Sequence, residues 1–496
     1  MSENRAQPLL DPAGIDQLRE ALTSAGYTSA GISDRLGPAA TAAVSRGDHR
    51  AALRATADRD PLATLIRLFV CGQSEPADVV AAALAPLPLA AAQAAGLVVP
   101  HIDGVRRGVD LEPYGDRWWV VADLPAAHTG QPLAADHVLG IGGASTTLAG
   151  ATIRRPVGRA LDLGTGCGVQ ALQLATHADS VTATDLSPRA LRFAATTAAL
   201  SGQRWDLRAG DLTEPVAGER FDLVVSNPPF VVGPGSISHT YRDSGRPGDA
   251  VSADLARSAP TLLTEGGVMQ FLANWAHVSG EDWRERVAGW FTGTGCDVWA
   301  IQREVSDPLG YARMWLADSG ERADPQRMSD WLDWFDAQAI EAVGFGVITV
   351  RHSGRADPAI RVEELRQQLA DQLGPQIGAW FDRQDWLRAR TLRQLLAERY
   401  VAAPGLRLRQ EASIGEQGWE VDRQLLTLPA GLRWAEETDP FAVALVAGAD
   451  GQLPMRDQLA LLAAAYDTPE AELAEVTAAV LAHLVERGML LPATLD

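Results

Sequence analysis

Three acidic residues and a glycine-rich loop carry the first chemical signal in this chain. In "ALDLGTGCGVQAL" (160–172) an apolar run ends at Asp162, then Gly164, Thr165, Gly166 and Gly168 form a loop before a helical pattern begins. Glycines let a backbone turn sharply and come close to a ligand. Dinucleotide fingerprints space them as G-x-G-x-x-G to seat a diphosphate on a helix N-terminus. This loop is G-x-G-x-G and is preceded by an acid, which suits a ligand carrying an ammonium group. Asp185, in "TATDLSP" with Leu186 beside it, ends the next strand-like run, where a carboxylate can accept from two ribose hydroxyls. Asp211, in "AGDLTE" and followed by Leu212, ends the third run and could meet an adenine amino group. One such acid is commonly only a turn or cap residue. Three at successive strand ends after one glycine loop make a binding constellation.

On these residues the chain resembles the class I S-adenosylmethionine-dependent methyltransferases, over roughly residues 137–352. The resemblance implies S-adenosylmethionine as cofactor. By that family's pattern Asp162 and the Gly164–Gly168 loop, Thr165 included, hold the methionine part. Asp185 with Leu186 holds the ribose, and Asp211 with Leu212 the adenine. The upstream segment "HVLGIGGASTTLAGAT" (137–152) resembles the one that closes over the methionine end.

A second signal follows the fourth strand-like run, in "FDLVVSNPPFVVGPG" (221–235). Adjacent prolines donate no hydrogen bonds and cannot continue a central strand. Asn227, Pro228, Pro229 and Phe230 therefore form a rigid corner on the edge of the sheet where open α/β folds bind ligands. The corner resembles the [Asn/Asp]-Pro-Pro-[aromatic] signature of methyltransferases acting on planar amino or amide nitrogens, and that resemblance makes these four residues the catalytic candidates. Such a nitrogen is a poor nucleophile because its lone pair is delocalised. The Asn227 side-chain oxygen and the Pro228 carbonyl can accept its two N–H bonds, with proline-fixed torsions keeping the carbonyl in place. Phe230 can stack on the planar group. Asn227 also borders the expected cofactor site.

The elements that must position these residues read as α/β: a Rossmann-like seven-stranded methyltransferase sheet. Apolar strands alternate with helices from about Leu161 to Val350, the pattern of βαβ units covered on both faces. The methyltransferase domain is expected over 131–352, with a helical insertion near 306–343 that carries several tryptophans. Residues 1–130 form a mostly helical N-terminal domain in which helices precede strand-like "LVVP" and "DRWWVVAD", the order of a winged helix or of a generic α+β cap. Asp60 followed by Pro61 marks one helix start. Residues 353–496 are expected to be mostly helical and again winged-helix-like. Residues 361–400 read as helix, and a final helix ends near Gly488.

The formal net charge is −20, so the chain as a whole does not attract polyanions. All 43 basic residues are arginines. Seven of them, interleaved with aromatics over 383–409, offer a possible phosphate-contacting stripe. The acidic segment 436–487 instead suits a lid or a protein-docking unit. Similarity of 241–267 to two subgroups, ribosomal-RNA base N-methyltransferases and release-factor glutamine methyltransferases, leaves the acceptor open. A nucleic-acid base comes first, RNA ahead of DNA; a protein or peptide glutamine-type amide is the alternative. A catalytically inactive cofactor-binding scaffold is the third reading.

The three cysteines and nine histidines show no metal-ligand spacing, so no metal is expected. The N-terminus lacks signal-peptide character and no apolar run is long enough to span a bilayer, so a cytoplasmic protein without membrane contact is expected.

Overall fold

Several helices start where a short polar side chain satisfies one of the first free N–H groups. In the computed structural model, which describes residues 6–125, 133–235, 245–318, 325–369, 372–416 and 418–493, Asp11 accepts from Gly14 N at the start of α1 (Pro12–Ser24). Thr28 does the same for α2 (Ser29–Val44). After α3 (Arg50–Ala55), Asp60 caps α4 (Pro61–Leu65) as its sequence suggests. The helix then widens into a π-helical turn, Ile66–Val70. Two short helices, α5 (Ala77–Leu84) and α6 (Leu89–Ala94), lead into two separate antiparallel ribbons. One pairs β1 (Val98–His101) with β2 (Gly104–Arg107); the other pairs β3 (Asp110–Tyr114) with β4 (Trp118–Ala122).

After α7 (Gly143–Ala151) comes the alternation that the apolar runs encode. The strands are β5 (Val157–Leu163), β6 (Ala178–Asp185), β7 (Asp206–Ala209), β8 (Phe221–Ser226) and β9 (Leu263–Val278). The helices α8 (Val169–Leu174), α9 (Pro188–Leu200) and α10 (Ala250–Leu262) lie between them, and α11 (Trp283–Gly289) follows β9. Next are β10 (Cys296–Ser306), the inserted helices α12 (Pro308–Asp318) and α13 (Pro325–Ala337), β11 (Ile340–His352) and β12 (Ile360–Glu364). The sheet order is β12-β10-β11-β9-β8-β5-β6-β7, with β11 antiparallel to both neighbours and every other pairing parallel. Ala160–Leu163 of β5 and Leu223–Ser226 of β8 are buried throughout, as central parallel strands covered on both faces must be.

Seven strands make the expected sheet. The eighth, β12, corrects the helical reading of 361–364: Asp297 accepts from Ala359 N at 2.8 Å, and Ile360 then pairs beside Val298.

The chain up to Ala149 and Arg155–Leu365 form one compact unit. The N-terminal helices therefore join the sheet at no intervening boundary. Their apolar faces share a core with Val169, Leu172, Ala190 and Phe193 from α8 and α9. The seam is also hydrogen-bonded: Leu9 N donates to Thr196 Oγ1 (2.9 Å), Val121 N to Thr197 Oγ1 (3.2 Å), and Arg19 Nε to the Leu200 carbonyl (2.9 Å).

The second unit, Gly150–Arg154 with the chain from Arg366, holds α14 (Gly374–Arg388), α15 (Leu392–Ala397), α16 (Pro440–Ala447), α17 (Met455–Ala465) and α18 (Glu470–Glu486). Two three-stranded sheets accompany these helices. One pairs β13 (Arg399–Ala402) with β17 (Asp450–Pro454) and β18 (Leu490–Pro492). The other is β14 (Arg407–Gly415), β15 (Gly418–Thr427) and β16 (Ala435–Thr438). Gly488 takes φ 68° just past α18, the left-handed stop its position suggests. The arginines of 383–409 do not line up as one stripe. Arg383 is buried with its Nε on the Glu486 carbonyl (3.2 Å), and burial lowers its pKa to about 10. Arg390 lies 4.0 Å over the Trp386 ring and pairs with Glu398.

Gly346 of β11 has no room for a side chain: a Cβ there would lie 2.0 Å from the Ile301 carbonyl oxygen and 2.7 Å from the Trp275 ring. Gly346→Ala is expected to lower stability by about 1–3 kcal/mol, read as a lower urea midpoint. Gly289→Ala, with nothing within 4 Å of the added carbon, should leave the midpoint unchanged or raise it.

Candidate active site

The register of four parallel strands brings the sequence candidates to one edge. Leu163 of β5 pairs with Thr184 of β6 and with Ser226 of β8, and Asp185 pairs with Ala209 of β7. Gly164, Asp185, the Gly210–Asp211 turn and Asn227 therefore leave the sheet at one level. Ser226 Oγ donates to the Leu163 carbonyl at 2.7 Å and ties the two central exits together.

Each loop is shaped by backbone hydrogen bonds. Gly164 N and Thr165 N donate to the Thr184 carbonyl at 3.0 and 2.8 Å. Asp185 Oδ2 accepts from Gly166 N and its Oδ1 from Ser187 N, both at 2.8 Å, while its own carbonyl accepts from Gly210 N at 3.1 Å. One residue thus joins the glycine loop, the start of α9 and the turn after β7. Burial raises the Asp185 pKa above its ordinary value, opposed by the N–H groups it accepts from.

The three loop glycines serve different ends. Gly164 and Gly166 take φ of 76° and 56°, and nothing lies within 4 Å of where a Cβ would project. Gly168 also has positive φ, but its Cβ would lie 2.7 Å from the Trp205 ring, so it serves helix packing.

A cavity of about 520 Å³ opens over this edge. Of the sequence candidates, Gly164, Thr165, Gly166, Asp185, Leu186, Asp211, Leu212, Asn227 and Pro229 line it. Asp162, Gly168, Pro228 and Phe230 do not. Asp162 is fully buried behind the loop, where its Oδ2 accepts from Thr165 Oγ1 (2.5 Å) and Ala171 N (3.0 Å). Burial raises its pKa to about 7. It works as a staple between loop and helix.

The segment expected to close over the site does border the cavity, from His137 through Ser145. His137 is buried, 3.9 Å from Asp123. Asp123 also accepts from Val138 N (3.0 Å) and Arg189 Nε (2.9 Å), so it anchors the segment to α9.

Phe230 lies beside the cavity among aromatic rings, 5.6 Å from Phe345 and 6.1 Å from Trp315 between centroids; Trp315 itself lines the cavity. Behind the corner Tyr311 Oη accepts from Val232 N (2.9 Å) and from Asn274 Nδ2 (2.6 Å). Val231, Val232, Tyr311, Trp331 and Phe335 share one core. The inserted helices therefore buttress the Asn-Pro-Pro-Phe corner. Sequence reasoning missed Tyr311, Trp315, Asp123 and Gln170, which also lines the cavity; the tryptophan-bearing insertion was the one signal available for the first two.

Among the described residues no group of three or more His, Cys, Asp or Glu side chains is placed to hold a metal ion. Likewise no helix is long and apolar enough to cross a membrane. His128, His239 and the start of the 241–267 segment lie outside the described residues.

The open space at Gly164 and Gly166, a half-buried carboxylate at the second strand end and an acid at the third suit a nucleoside with hydroxyl and amino donors. The comparisons agree with this architecture. Residues 141–283 match the family described as "Methyltransferase small domain", and the chain carries a class I S-adenosylmethionine-dependent methyltransferase domain. Residues 24–108 and 378–492 match two domains of unknown function (DUF7059 and DUF7782).

Among curated relatives, the ribosomal RNA small subunit methyltransferase C of Alcanivorax borkumensis is 36% identical over 117 residues, 24% of this chain and 32% of that one. The protein of the same name from Salmonella arizonae is 31% identical, over 33% of this chain and 44% of its own. The release factor glutamine methyltransferase of Bordetella pertussis is 37% identical, over 24% of this chain and 49% of that one. The chain spans a third to a half of the length of these relatives.

Because burial pushes the Asp162 pKa up to about 7 in the folded chain while the unfolded chain keeps the ordinary carboxylate value, the native state holds its proton more tightly. That contribution is most favourable at low pH and is lost as pH rises from about 4 to about 7. Asp162→Asn should flatten this segment of the stability–pH curve, measured by denaturant unfolding at stepped pH.

Proposed function

We propose that this chain transfers a methyl group from S-adenosylmethionine to the exocyclic amino nitrogen of a nucleic-acid base, RNA ahead of DNA. The observation that carries this reading is the shared wall. Asn227 and Pro229 border the same cavity as Gly164, Gly166 and Asp185, so a nitrogen held at the corner reaches the space offered to the cofactor. When bound, the cofactor supplies an electrophilic methyl on a sulfonium sulfur. Gly164 and Gly166 would admit it closely, Asp185 would accept from its ribose hydroxyls, and Asp211 with Leu212 would meet the adenine.

The chain's own task is to prepare a weak nucleophile. The Asn227 side-chain oxygen and the Pro228 carbonyl accept the two N–H bonds of the amino group, which favours a more pyramidal nitrogen. Its lone pair is then aimed into the cavity. Proline torsions and the Tyr311 bond to Val232 N hold the corner in advance, so its acceptors need no rearrangement during reaction. Phe230, set among Trp315 and Phe345, offers a face for the ring that bears the nitrogen. This is positioning rather than base catalysis.

The small-subunit ribosomal RNA methyltransferase relatives favour a base as acceptor. A second reading, a glutamine-type side-chain amide of a protein, is favoured by the release factor relatives and by a net charge of −20, which suits a basic partner. The corner chemistry serves either planar nitrogen. The buried free cysteines fit a reducing cytoplasm. Transfer of tritiated methyl groups to nuclease-treated and protease-treated lysates separates the two readings. The acceptor is expected to disappear with nuclease; its disappearance with protease alone would install the protein reading.

Two sets of variants test the assignments. Asp185→Ala should weaken S-adenosylhomocysteine by about 1–3 kcal/mol in calorimetric titration. Asn227→Ala should keep cofactor affinity but lose about 10²–10³ in methyl transfer. Asn227→Asp, which still accepts a hydrogen bond, should retain more activity than alanine. Phe230→Ala should weaken acceptor binding by about 1–3 kcal/mol. Wild-type turnover by Asn227→Ala would reduce the corner to a turn.

A further inference from the structure

Gln170 is the second residue of α8 and is 4% exposed. Its Nε2 donates to the Ser145 carbonyl at 2.8 Å. A carbonyl oxygen can only accept, so this bond fixes which end of the amide is which. The other end, Oε1, is buried without a hydrogen-bond partner among the described residues, and Gln170 stands in the wall of the cavity. A buried acceptor with a fixed direction and no partner calls for a donor from a ligand. Thr184 Oγ1, also buried and unpartnered in the same wall, is a hydroxyl that can rotate and so carries less direction.

The position of Gln170 selects the donor. The inference rests on the cofactor reading above, in which the nucleoside lies over the ends of β6 and β7 and the methyl faces Asn227 after β8. The sulfur that bears the methyl also bears the amino-acid arm. With the nucleoside on one side and the acceptor on the other, that arm falls over the exit of β5, between the glycine loop and the start of α7. Gln170 joins these two segments through its bond to Ser145, and Ser145 Oγ accepts from Gly142 N at 2.9 Å. The acid that the sequence offers for this end, Asp162, lies behind the loop: its Oδ2 accepts from Thr165 and Ala171, and its Oδ1, though without a hydrogen-bond partner among the described residues, belongs to a residue outside the cavity wall.

We propose that Gln170 recognises the α-ammonium group of the cofactor, its Oε1 accepting one ammonium N–H while its Nε2 holds the upstream segment against the loop. A neutral amide is suited to this: it accepts from the cation without placing another carboxylate beside Asp162 and Asp185.

The test is calorimetric titration of the full chain with S-adenosylhomocysteine and with its analogue lacking only the α-amino group. Wild type is expected to bind the complete ligand about 10- to 100-fold more tightly than the desamino analogue. Gln170→Met, similar in length and without the amide, should lose most of that preference while keeping its affinity for the analogue. Equal binding of both ligands by wild type would overturn the inference, as would an undiminished preference in Gln170→Met. A parallel loss of both ligands in that variant would also overturn it, leaving Gln170 a packing residue. Failure of wild type to bind S-adenosylhomocysteine at all would overturn the cofactor reading itself.

Discussion

The parallel register of β6, β5 and β8 is the constraint on which the rest of the site depends. Leu163 stands opposite both Thr184 and Ser226, so three chain segments distant in sequence leave the sheet at one level. The side chains that follow inherit that placement. A register shift of one residue would turn every strand side chain to the opposite face and carry the strand exits out of alignment. The Ser226 hydroxyl on the Leu163 carbonyl reinforces the same alignment from within the strands.

The carboxylates at this edge are divided between building the site and facing it. Asp185 orders backbone N–H groups on either side and still lines the cavity. Asp162 is withdrawn completely, and its raised pKa reflects the cost of burying an acid that only a hydroxyl and one backbone N–H support. The neighbouring Asp185 charge adds to burial in raising the Asp162 pKa, so the two acids are coupled even though only Asp185 of the pair lines the cavity.

Around this edge the protein adds material that a bare βαβ sheet lacks. The N-terminal helices cap α8 and α9 through a continuous core, using Thr196 and Thr197 as hydrogen-bond partners for chain segments that arrive from elsewhere. On the other side the inserted helices bring Tyr311 and Trp315 against the Asn-Pro-Pro-Phe corner. The corner is donor-poor, so it cannot be fixed by backbone pairing of its own prolines. A tyrosine hydroxyl reaching Val232 N and an aromatic core beneath it supply the support instead.

Short-range order was legible from the chain by itself. Alternating apolar runs marked the strands, Asp60-Pro61 and Gly488 marked helix ends, and the glycine loop, Asp185, Asp211 and Asn227 marked strand exits that border one cavity. These are local signals, because turn geometry, caps and period-two or period-3.6 patterning are written in neighbouring residues. What a side chain faces is not. Asp162 and Asp185 read alike as acids at strand ends, yet one is a staple behind the loop and the other lines the cavity. The arginines of 383–409 read as a stripe, yet Arg383 turns inward and Arg390 covers a tryptophan. Gln170 carried no motif at all, since its meaning lies in one bond to a carbonyl twenty-five residues away and a buried acceptor left without a partner in a residue of the cavity wall. Sequence determined the elements and the chemistry available; only the tertiary packing decided which polar atoms were spent inside the fold and which remained for a ligand, because hydrogen-bond satisfaction depends on neighbours in space rather than along the chain.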